Sequence, residues 1–516
     1  MARISDAARS ITWISDDTWR RIQGRTERRP RFGRSSRTAQ PATEGLSVVD
    51  GELRTDATGP VVDPLTAALL VSTEAARHGV AISRTTLAEL AEASFEIDGR
   101  APWPPERRAA FIELLAMGTA AVPLIESLDH VGIWVSILPE WSAVQSLPQR
   151  NAYHRFTVDR HLLETAANAA MFMEQVDRGD LVLLAALLHD LGKGSGGDHS
   201  DVGAGLAAVI CERMGLDQDD VDTVCLLVRH HLLLAEVATR RDLDDPTTVE
   251  RVLATLGTAE RVELLAALTE ADSLATGSSA WSPWKAGLVD QLVDRAKAVA
   301  AGEDVAATER RFPDDRQMQL LAGTEQVIEH SGDSVMVVCS DRPGNFSRVA
   351  GTLALHGLDV LEAAAHSGDG RALSRFRVSA SRGTEIDWDA VIASLRLALA
   401  GRLALPARLA ERARTYRTRK RTAAVAPTTV VHFDDGASTE ATVIDVRAAN
   451  SIGALYRVTR ALAELDLDIR GAKVQSSGEL LIDSFFVLDT DGERITDPER
   501  RREIELAIRH GLQADR

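Results

Sequence analysis

The residues in this sequence best suited to chemistry are histidines and carboxylates. Six of the thirteen histidines fall between His154 and His231. The sharpest element is Leu187-Leu-His189-Asp190-Leu-Gly-Lys193-Gly. There an apolar helix carries a histidine and a carboxylate to its end, and a glycine-rich turn opens space beside them. His161, His199, the adjacent His230 and His231, and Asp272 stand on other helical segments, which a bundle core can bring together. Such nitrogen and oxygen donors suit Mn²⁺, Fe²⁺, Mg²⁺ or Zn²⁺, and the lack of cysteine among them argues against a structural zinc. An ion held there lowers the pKa of bound water. Asp190 is placed to hold metal and orient that water. Neighbouring helical residues point about 100° apart, so His230 and His231 do not both serve one ion and divide a metal role from a substrate-contacting one. The expected assignment puts His230 on metal and His231 with Asp190 and Lys193 in the catalytic group, and the reverse stays open. His199, in Gly196-Gly-Asp198-His-Ser-Asp201, has a loop cap as its competing role. His154 reads as structural, with Tyr153 at a domain edge.

These residues need helices to hold them. From His154 to about Glu303 the apolar spacing is helical, with Asp245-Pro246 as a helix start, Asp at the cap and Pro at the first position. Helical spacing also runs from Asp63 to Val131, where Trp103, Trp134 and Trp141 pack between helices. A hairpin turning on Asp50-Gly51 precedes it. After Ser331 the pattern becomes that of short strands. Val335–Cys339, a turn at Asp341-Arg-Pro-Gly344-Asn345, a helix Phe346–His356 and two strands form one unit. Ala441–Val446, a turn at Ser451-Ile-Gly453, a helix Ala454–Leu465 and two strands repeat it. Between the two lie a helix with Trp388 and the basic stretch Arg412–Arg421, which reads as a solvated connector.

Length and composition bound the function. The chain has 516 residues, 45% hydrophobic and 26% charged, which suits two to four soluble domains. A net charge of −17 argues against nonspecific nucleic-acid binding. Cys211, Cys225 and Cys339 show neither zinc-finger nor disulfide spacing, as expected in a reducing cytoplasm. The start has no apolar core like that of a signal peptide, and apolar runs such as Leu181–Leu188 are too short to span a bilayer. A cytoplasmic protein without a membrane partner is expected. Residues 1–45, rich in arginine (Arg20, Arg21, Arg25, Arg28, Arg29, Arg31, Arg34, Arg37), read as a poorly ordered remnant.

The ordered set His161, His189-Asp190 and Asp272 with Gly192-Lys193 resembles the HD superfamily of phosphohydrolases. His199, His230 and His231 resemble its binuclear branch. The likeness goes further. Leu138-Pro-Glu-Trp141, Pro148 to His161, Lys193-Gly-Ser-Gly-Gly-Asp198-His-Ser, Leu227-Val-Arg-His-His-Leu, Arg240-Arg-Asp-Leu and Ala271-Asp272-Ser-Leu-Ala-Thr-Gly are similar to bacterial PII uridylyltransferase/uridylyl-removing enzymes. That family also ends in two ACT domains, so the resemblance covers nearly the whole chain. It implies a helical linker domain over 46–150, the tail of a transferase region, and an all-α HD domain over 151–310. Two α+β ACT domains of ferredoxin-like βαββαβ form follow at 331–400 and 437–516, with a connector at 401–436. The implied substrate is a PII signalling protein nucleotidylated on tyrosine, from which the HD site releases UMP, or AMP in a related branch, with Mn or Mg as the metal. The implied effector is glutamine, held by Asp341, Arg342, Gly344 and Asn345 in the first ACT copy and by Asn450 and Gly453 in the second. The glycines stand where backbone amides can approach such a ligand closely. The second copy has Asn450 where Asp is usual, and no proline.

Two alternatives remain: a non-catalytic sensor on a degenerate HD scaffold, and a nucleotidase or phosphodiesterase acting on free nucleotide. In the family a transferase domain precedes the helices, with a Gly-Ser turn and an Asp-x-Asp pair. Here the Gly-Ser pairs, Gly194-Ser195 and Gly277-Ser278, lie inside the HD region. Asp466-Leu-Asp468 and Asp489-Thr-Asp491 have the carboxylate spacing but lie in the second ACT unit. The expectation is a chain that removes the nucleotide without adding it.

Overall fold

The computed structural model describes residues 2–26, 40–41, 45–55, 62–95, 97–149, 155–243, 245–277, 280–304, 312–380, 385–417, 428–477 and 480–513. Tyr153, His154, Arg28, Arg29, Arg31, Arg34, Arg37 and residues 418–421 lie outside these. By internal packing the chain divides into two compact units, Met1–Leu234 with Thr255–Ser282, and Ala235–Ala254 with Pro283–Arg516. This division falls inside the 151–310 span expected for the HD domain.

The first unit is mainly helical. The sequence suggested a poorly ordered start, but residues Ala2–Thr26 form a helix, α1. Its Arg9 reaches the buried carboxylates of Asp129 (2.6 Å) and Asp159 (2.5 Å). Two buried carboxylates without a cation would cost several kcal/mol, on the order of 3–5, so the pairing gives this segment a fixed place. The hairpin β1 (Leu46–Val49) and β2 (Glu52–Thr55) turns at Asp50 and Gly51, both at positive φ, as a two-residue type I′ turn requires. Helices α2 (Pro64–His78), α3 (Arg84–Ser94), α4 (Pro105–Ala116) and α5 (Val122–His130) follow. Trp103, Phe111, Trp134 and Trp141 form a buried chain of rings with successive centroids 5.3, 5.4 and 5.9 Å apart, so the tryptophans pack as their spacing suggested. Next come α6 (Val158–Ala169), α7 (Gly179–Leu188), α8 (His199–Arg213) and α9 (Gln218–Arg229), then α10 (Leu233–Arg240) and α11 (Pro246–Leu256), which belong for the most part to the second unit, and α12 (Ala259–Thr276) of the first. Helix α7 packs against α6, α9 and α12. Every residue from Leu181 to Leu188 is buried, which is why its sequence is apolar all round rather than striped.

No single helix among the described residues is long and apolar enough to cross a membrane. One pair, Pro105–Ala116 with Gly118–His130, passes by length and composition but bends by 106°, and its Phe111, Leu114, Ile125 and Leu128 are buried in the helical core.

The second unit adds α13 (Pro283–Ala300) and α14 (Asp315–Ala322) to two similar halves. The first half runs β3 (Val327–Ser331), β4 (Ser334–Ser340), α15 (Asn345–Leu355), β5 (Leu358–Gly368), β6 (Arg371–Ala380) and α16 (Trp388–Leu399). Helix α17 (Leu405–Arg417) comes after it. The second half runs β7 (Val430–Asp434), β8 (Thr442–Ala449), α18 (Ala454–Glu464), β9 (Asp468–Ser477), β10 (Leu480–Leu488) and α19 (Pro498–Gln513). Together they make one antiparallel sheet in the order β3-β4-β6-β5-β9-β10-β8-β7. The halves join where Ala364, Ala363 and Glu362 pair with Gly471, Ala472 and Lys473.

Each half is thus α+β and antiparallel, but its edge strand precedes the central strand, giving ββαββα where βαββαβ was expected. A tight hairpin such as β3–β4 supplies that edge from neighbouring sequence at small loop-closure cost. Part of the connector expected over 401–436 is a packed helix, because α17 buries Leu405 and Leu409 and packs on α15, whereas Arg414 and Thr415 of the basic stretch Arg412–Arg421 are exposed.

Residues 235–254 are fastened within the second unit to its second half. The buried Lys473 of β9 donates to the carbonyls of Ala238 (3.0 Å) and Arg241, capping the end of α10 with a cation where the helix dipole favours one. Asp245 accepts from Thr439 N (2.5 Å) and Oγ1 (2.8 Å) while also capping α11 through Thr247 N (2.9 Å). Lys473→Met leaves those carbonyls unsatisfied, so it should lower the stability of this unit by about 1–3 kcal/mol. Denaturant unfolding of the full chain checks this, and an unchanged midpoint would contradict the capping role.

Candidate metal centre

Helix α7 ends at Leu188, so His189 and Asp190 stand at its C-terminal edge, facing the turn Leu191–Gly194. That turn requires glycine at position 192, because a Cβ there would lie 2.0 Å from the His199 carbonyl oxygen and 2.7 Å from Gly203 N. This close approach brings the start of α8, with His199, against the end of α7. His161 comes from the first turn of α6, Asp272 from α12, and His231 from just beyond α9.

These six residues form two groups, His161 with His189 and Asp272, and Asp190 with His199 and His231. Within each group the ligand atoms lie within 4.8 Å of one another. Asp190 joins the groups. Its Oδ2 is 3.4 Å from His189 Nε2 and 3.8 Å from His161 Nε2, while its Oδ1 is 3.8 Å from both His199 Nε2 and His231 Nε2. Asp272 Oδ1 lies 2.9 Å from His161 Nε2 and 3.5 Å from His189 Nε2. Two imidazoles are oriented from behind: His189 Nδ1 is 2.9 Å from the Ala186 carbonyl and His231 Nδ1 is 2.7 Å from that of Val228. An N–H donated there leaves Nε2 as the lone-pair nitrogen turned inward, the arrangement a metal ligand needs. Lys193 Nζ reaches Asp190 Oδ2 at 2.5 Å and Gln149 Oε1 at 3.1 Å.

Burial sets the electrostatics. His161, His189, Asp190 and His231 are at most 3% exposed. Burial disfavours a charged His189, but the carboxylates of Asp190 and Asp272 outweigh it and push the imidazole up to about 10. Burial likewise disfavours ionised Asp190, yet His189, Lys193 and His231 hold it well below the usual carboxylate range. Asp272 is held well down in the same way by His161 and His189, against its burial. Burial and the His189 charge push His231 down to about 4. The pocket thus keeps both carboxylates ionised and His231 neutral. His189 Nε2 and Asp190 Oδ1 are buried without a hydrogen-bond partner, although an unpaired buried polar atom costs about 1–3 kcal/mol. An oxygen and nitrogen donor set this closely gathered, with orphaned atoms turned inward, fits divalent cations.

The structure therefore brings together His161, His189, Asp190, His199, Asp272 and Lys193 as the sequence suggested, and adds His231 to the metal groups. His230 belongs to neither group, being half-buried beyond the end of α9. The two neighbours cannot both face inward, and it is His231 that does. The loop-cap role weighed for His199 falls to Asp198, which accepts from Ser200 N and Asp201 N. Sequence reasoning passed over Gln149 and also Asn168, whose amide holds the Ala271 carbonyl at 3.1 Å beside Asp272. Gln149 lay within a family-like motif, whereas nothing in the local sequence marked Asn168.

A second site lies in the sheet unit. Asp341, Arg342, Gly344 and Asn345 line a cavity of about 440 Å³, together with Asp466, Asp468 and Asp489 of the second half. Gly344 caps α15 at φ +84, a conformation that favours glycine, and Asn345 Nδ2 bonds the Ser340 carbonyl at 2.8 Å. Burial and the Asp468 carboxylate raise Asp341. Asn450 and Gly453 line no part of this cavity. Asp466 and Asp468, whose spacing alone is that of a nucleotidyl-transfer pair, supply one wall of it.

Residues 158–277 match the family model of the HD domain, and residues 437–514 that of the N-terminal ACT domain of the ACR family. The chain is similar to the bifunctional uridylyltransferase/uridylyl-removing enzyme of Streptomyces coelicolor, with 37% identity over 95% of this chain and 66% of the relative. It is 37% identical to that of Mycobacterium tuberculosis over 87% of this chain and 57% of the relative. The enzyme of Gluconobacter oxydans is 33% identical over 77% of this chain and 50% of the relative. The chain spans between half and two thirds of the length of these relatives. With the HD match over the helical centre and the ACT match over the second half of the sheet, this chain is a homologue of the bifunctional uridylyltransferase/uridylyl-removing enzymes.

Proposed function

We propose that this chain removes a nucleotidyl group from a modified PII signalling protein by metal-dependent phosphodiester hydrolysis, under control of glutamine. The observation that carries the reading is the buried Asp190 carboxylate, with Oδ2 turned toward His161 and His189 and Oδ1 toward His199 and His231. The chain's likeness to enzymes named as uridylyl-removing supports it.

In this reading His161, His189 and Asp272 hold one divalent cation, Mn or Mg, and His199 and His231 hold a second, with Asp190 serving both. Such ions, when bound, activate water and draw charge from a phosphoryl oxygen. The chain's own residues do the rest. The Ala186 and Val228 carbonyls fix the rings of His189 and His231, so their inward nitrogens need no reorganisation. Lys193, 26% exposed at its side chain, stands where the buried group meets the exposed loop Gly194–Asp198, and supplies a cation to the phosphodiester. Removing a group's ordering partner typically costs about 10–100-fold in metal affinity or activity, so removing a ligand should cost at least that.

Glutamine is assigned to the Asp341–Asn345 cavity. The carboxylates of Asp341 and Asp466 suit its ammonium, and the backbone amides at the start of α15 suit its carboxylate.

Incubation of uridylylated and adenylylated PII, and of free nucleotides, with the full chain and Mn²⁺ or Mg²⁺ tests the reaction. Release of UMP or AMP from PII alone is expected. Hydrolysis of free nucleotides only would overturn the substrate, and no hydrolysis of any would favour a sensor scaffold. His231→Ala should lower the rate at least about 100-fold, and His230→Ala should leave it nearly intact; the opposite order would reverse the two roles. Because His189 carries a proton until about pH 10 in the metal-free site, loading at pH 7 should release about one proton. Apparent metal affinity should rise about tenfold per pH unit up to that value. Calorimetry in buffers of different ionisation enthalpy reads this, and pH-independent binding would contradict it. Glutamine at millimolar concentration should raise the hydrolytic rate, an effect that Gly344→Val should abolish; equal stimulation of that variant would move the ligand elsewhere.

A further inference from the structure

The two halves of the sheet unit are related by an approximate twofold axis through the β5–β9 pairing, since the strand order reads the same from either edge. Every surface of one half therefore has a counterpart in the other. The open cavity is built from the turn Asp341–Phe346 of the first half and the α18–β9 junction, Ala463–Ile469, of the second. Its counterpart must lie between the turn Asn450–Leu455 and the α15–β5 junction at Ala354–Val360. The equivalences are close. Gly344 and Gly453 both cap helices at positive φ (+84 and +78), and Gly357 and Asp466 both turn at positive φ (+76 and +54) just before the next strand.

That counterpart is filled. Leu405 and Leu409 of α17 pack with Tyr456 and Ile452 on one side and with Ala354 and Leu355 on the other. A Cβ built on Gly453 would lie 3.3 Å from a methyl of Leu409, and one on Gly357 would lie 2.6 Å from the Arg412 guanidinium. Arg457 turns back onto its own loop, donating to the Ile452 carbonyl (3.1 Å) and to Ser451 Oγ (2.6 Å). Helix α17 is also the element that breaks the repeat. It stands between the two halves, outside either ββαββα run. Chemistry separates the two places as well. The open cavity is lined by Asp341, Asp466, Asp468 and Asp489, while the closed one presents leucines and arginines.

We infer that each chain offers one amino-acid site, the acidic cavity at Asp341–Asn345, and that α17 occupies the symmetry-related copy, with Leu409 and Arg412 standing where a second ligand would lie. The ligand identity rests on the glutamine reading above, whereas the occupancy by α17 does not. Asp468 is paired with Arg470 (3.1 Å) and Asp489 with Arg500 (3.0 Å), so an ammonium-bearing ligand would meet Asp341 and Asp466. The keto acid of the same skeleton, lacking the ammonium, offers those two carboxylates no cation.

Titration calorimetry on the full chain should give one equivalent of glutamine and no heat with 2-oxoglutarate. Asp341→Asn should abolish binding or weaken it more than tenfold, and Asn450→Ala should leave affinity and stoichiometry unchanged. Two equivalents, or loss of binding in Asn450→Ala, would overturn the single-site assignment. Hydrogen exchange tests the plug without any ligand. The amides of α17 should be protected in the wild-type chain, and Leu409→Ser should raise their exchange about tenfold or more while α15 stays protected. Free exchange of α17 in the wild type would overturn its occupancy of the cavity. Absence of glutamine binding alongside a protected α17 would sink the ligand reading and leave the closure standing.

Discussion

The structure of the first unit depends on one carboxylate held where water cannot solvate it. Asp190 is 2% exposed, and an isolated ionised carboxylate so placed would be untenable by several kcal/mol. Its surroundings are arranged to answer that cost, with His189 and Lys193 beside it and His161, His199 and His231 within 3.8 Å. Helix α7 is apolar on every side so that it can deliver this group to the centre of the bundle. Gly192 is required because α8 must come close enough to contribute His199. The fold of the region follows from bringing four separate helices to one charged point.

Much of this was legible in the sequence, for physical reasons. A helix made almost wholly of leucine, valine and alanine that ends in His-Asp-Leu-Gly-Lys announces a buried charge at a helix end. The repeated strand, glycine turn and helix announced the two sheet halves, because a glycine needed at positive φ leaves a mark on the sequence. What was not legible depended on side-chain direction or on long-range placement. His230 and His231 differ by one position, and only the path of the chain beyond α9 decides which of them turns inward. The edge strands of each half were passed over although each pairs with the next strand in sequence, because Val327–Ser331 and Val430–Asp434 are only partly buried and carry no clear alternating apolar face. Helix α17 fell within the connector expected over 401–436, since its two buried leucines are outnumbered by arginines and gain their meaning only from the surface they cover. The acidic wall at Asp466 and Asp468 resembled a metal pair by spacing, yet its position in the sheet unit gives it a different neighbour.

The two units divide the chemistry. The helical unit gathers imidazoles and carboxylates into two groups that could hold metal ions. The sheet unit is a duplicated fold that keeps one cavity open and one filled. Between them the chain crosses at Leu234 and returns at Thr255, and the intervening residues are anchored to the second half by Lys473 and Thr439.

The central claim is that Asp190 serves two cation sites at once. Equilibrium dialysis of the full chain against Mn²⁺, combined with electron paramagnetic resonance of the loaded protein, tests it most directly. The account predicts two ions per chain with the broadened signal of a coupled pair, and loss of both coupling and tight binding in Asp190→Asn. A single uncoupled ion in the wild type, or two ions retained unchanged in Asp190→Asn, would contradict it.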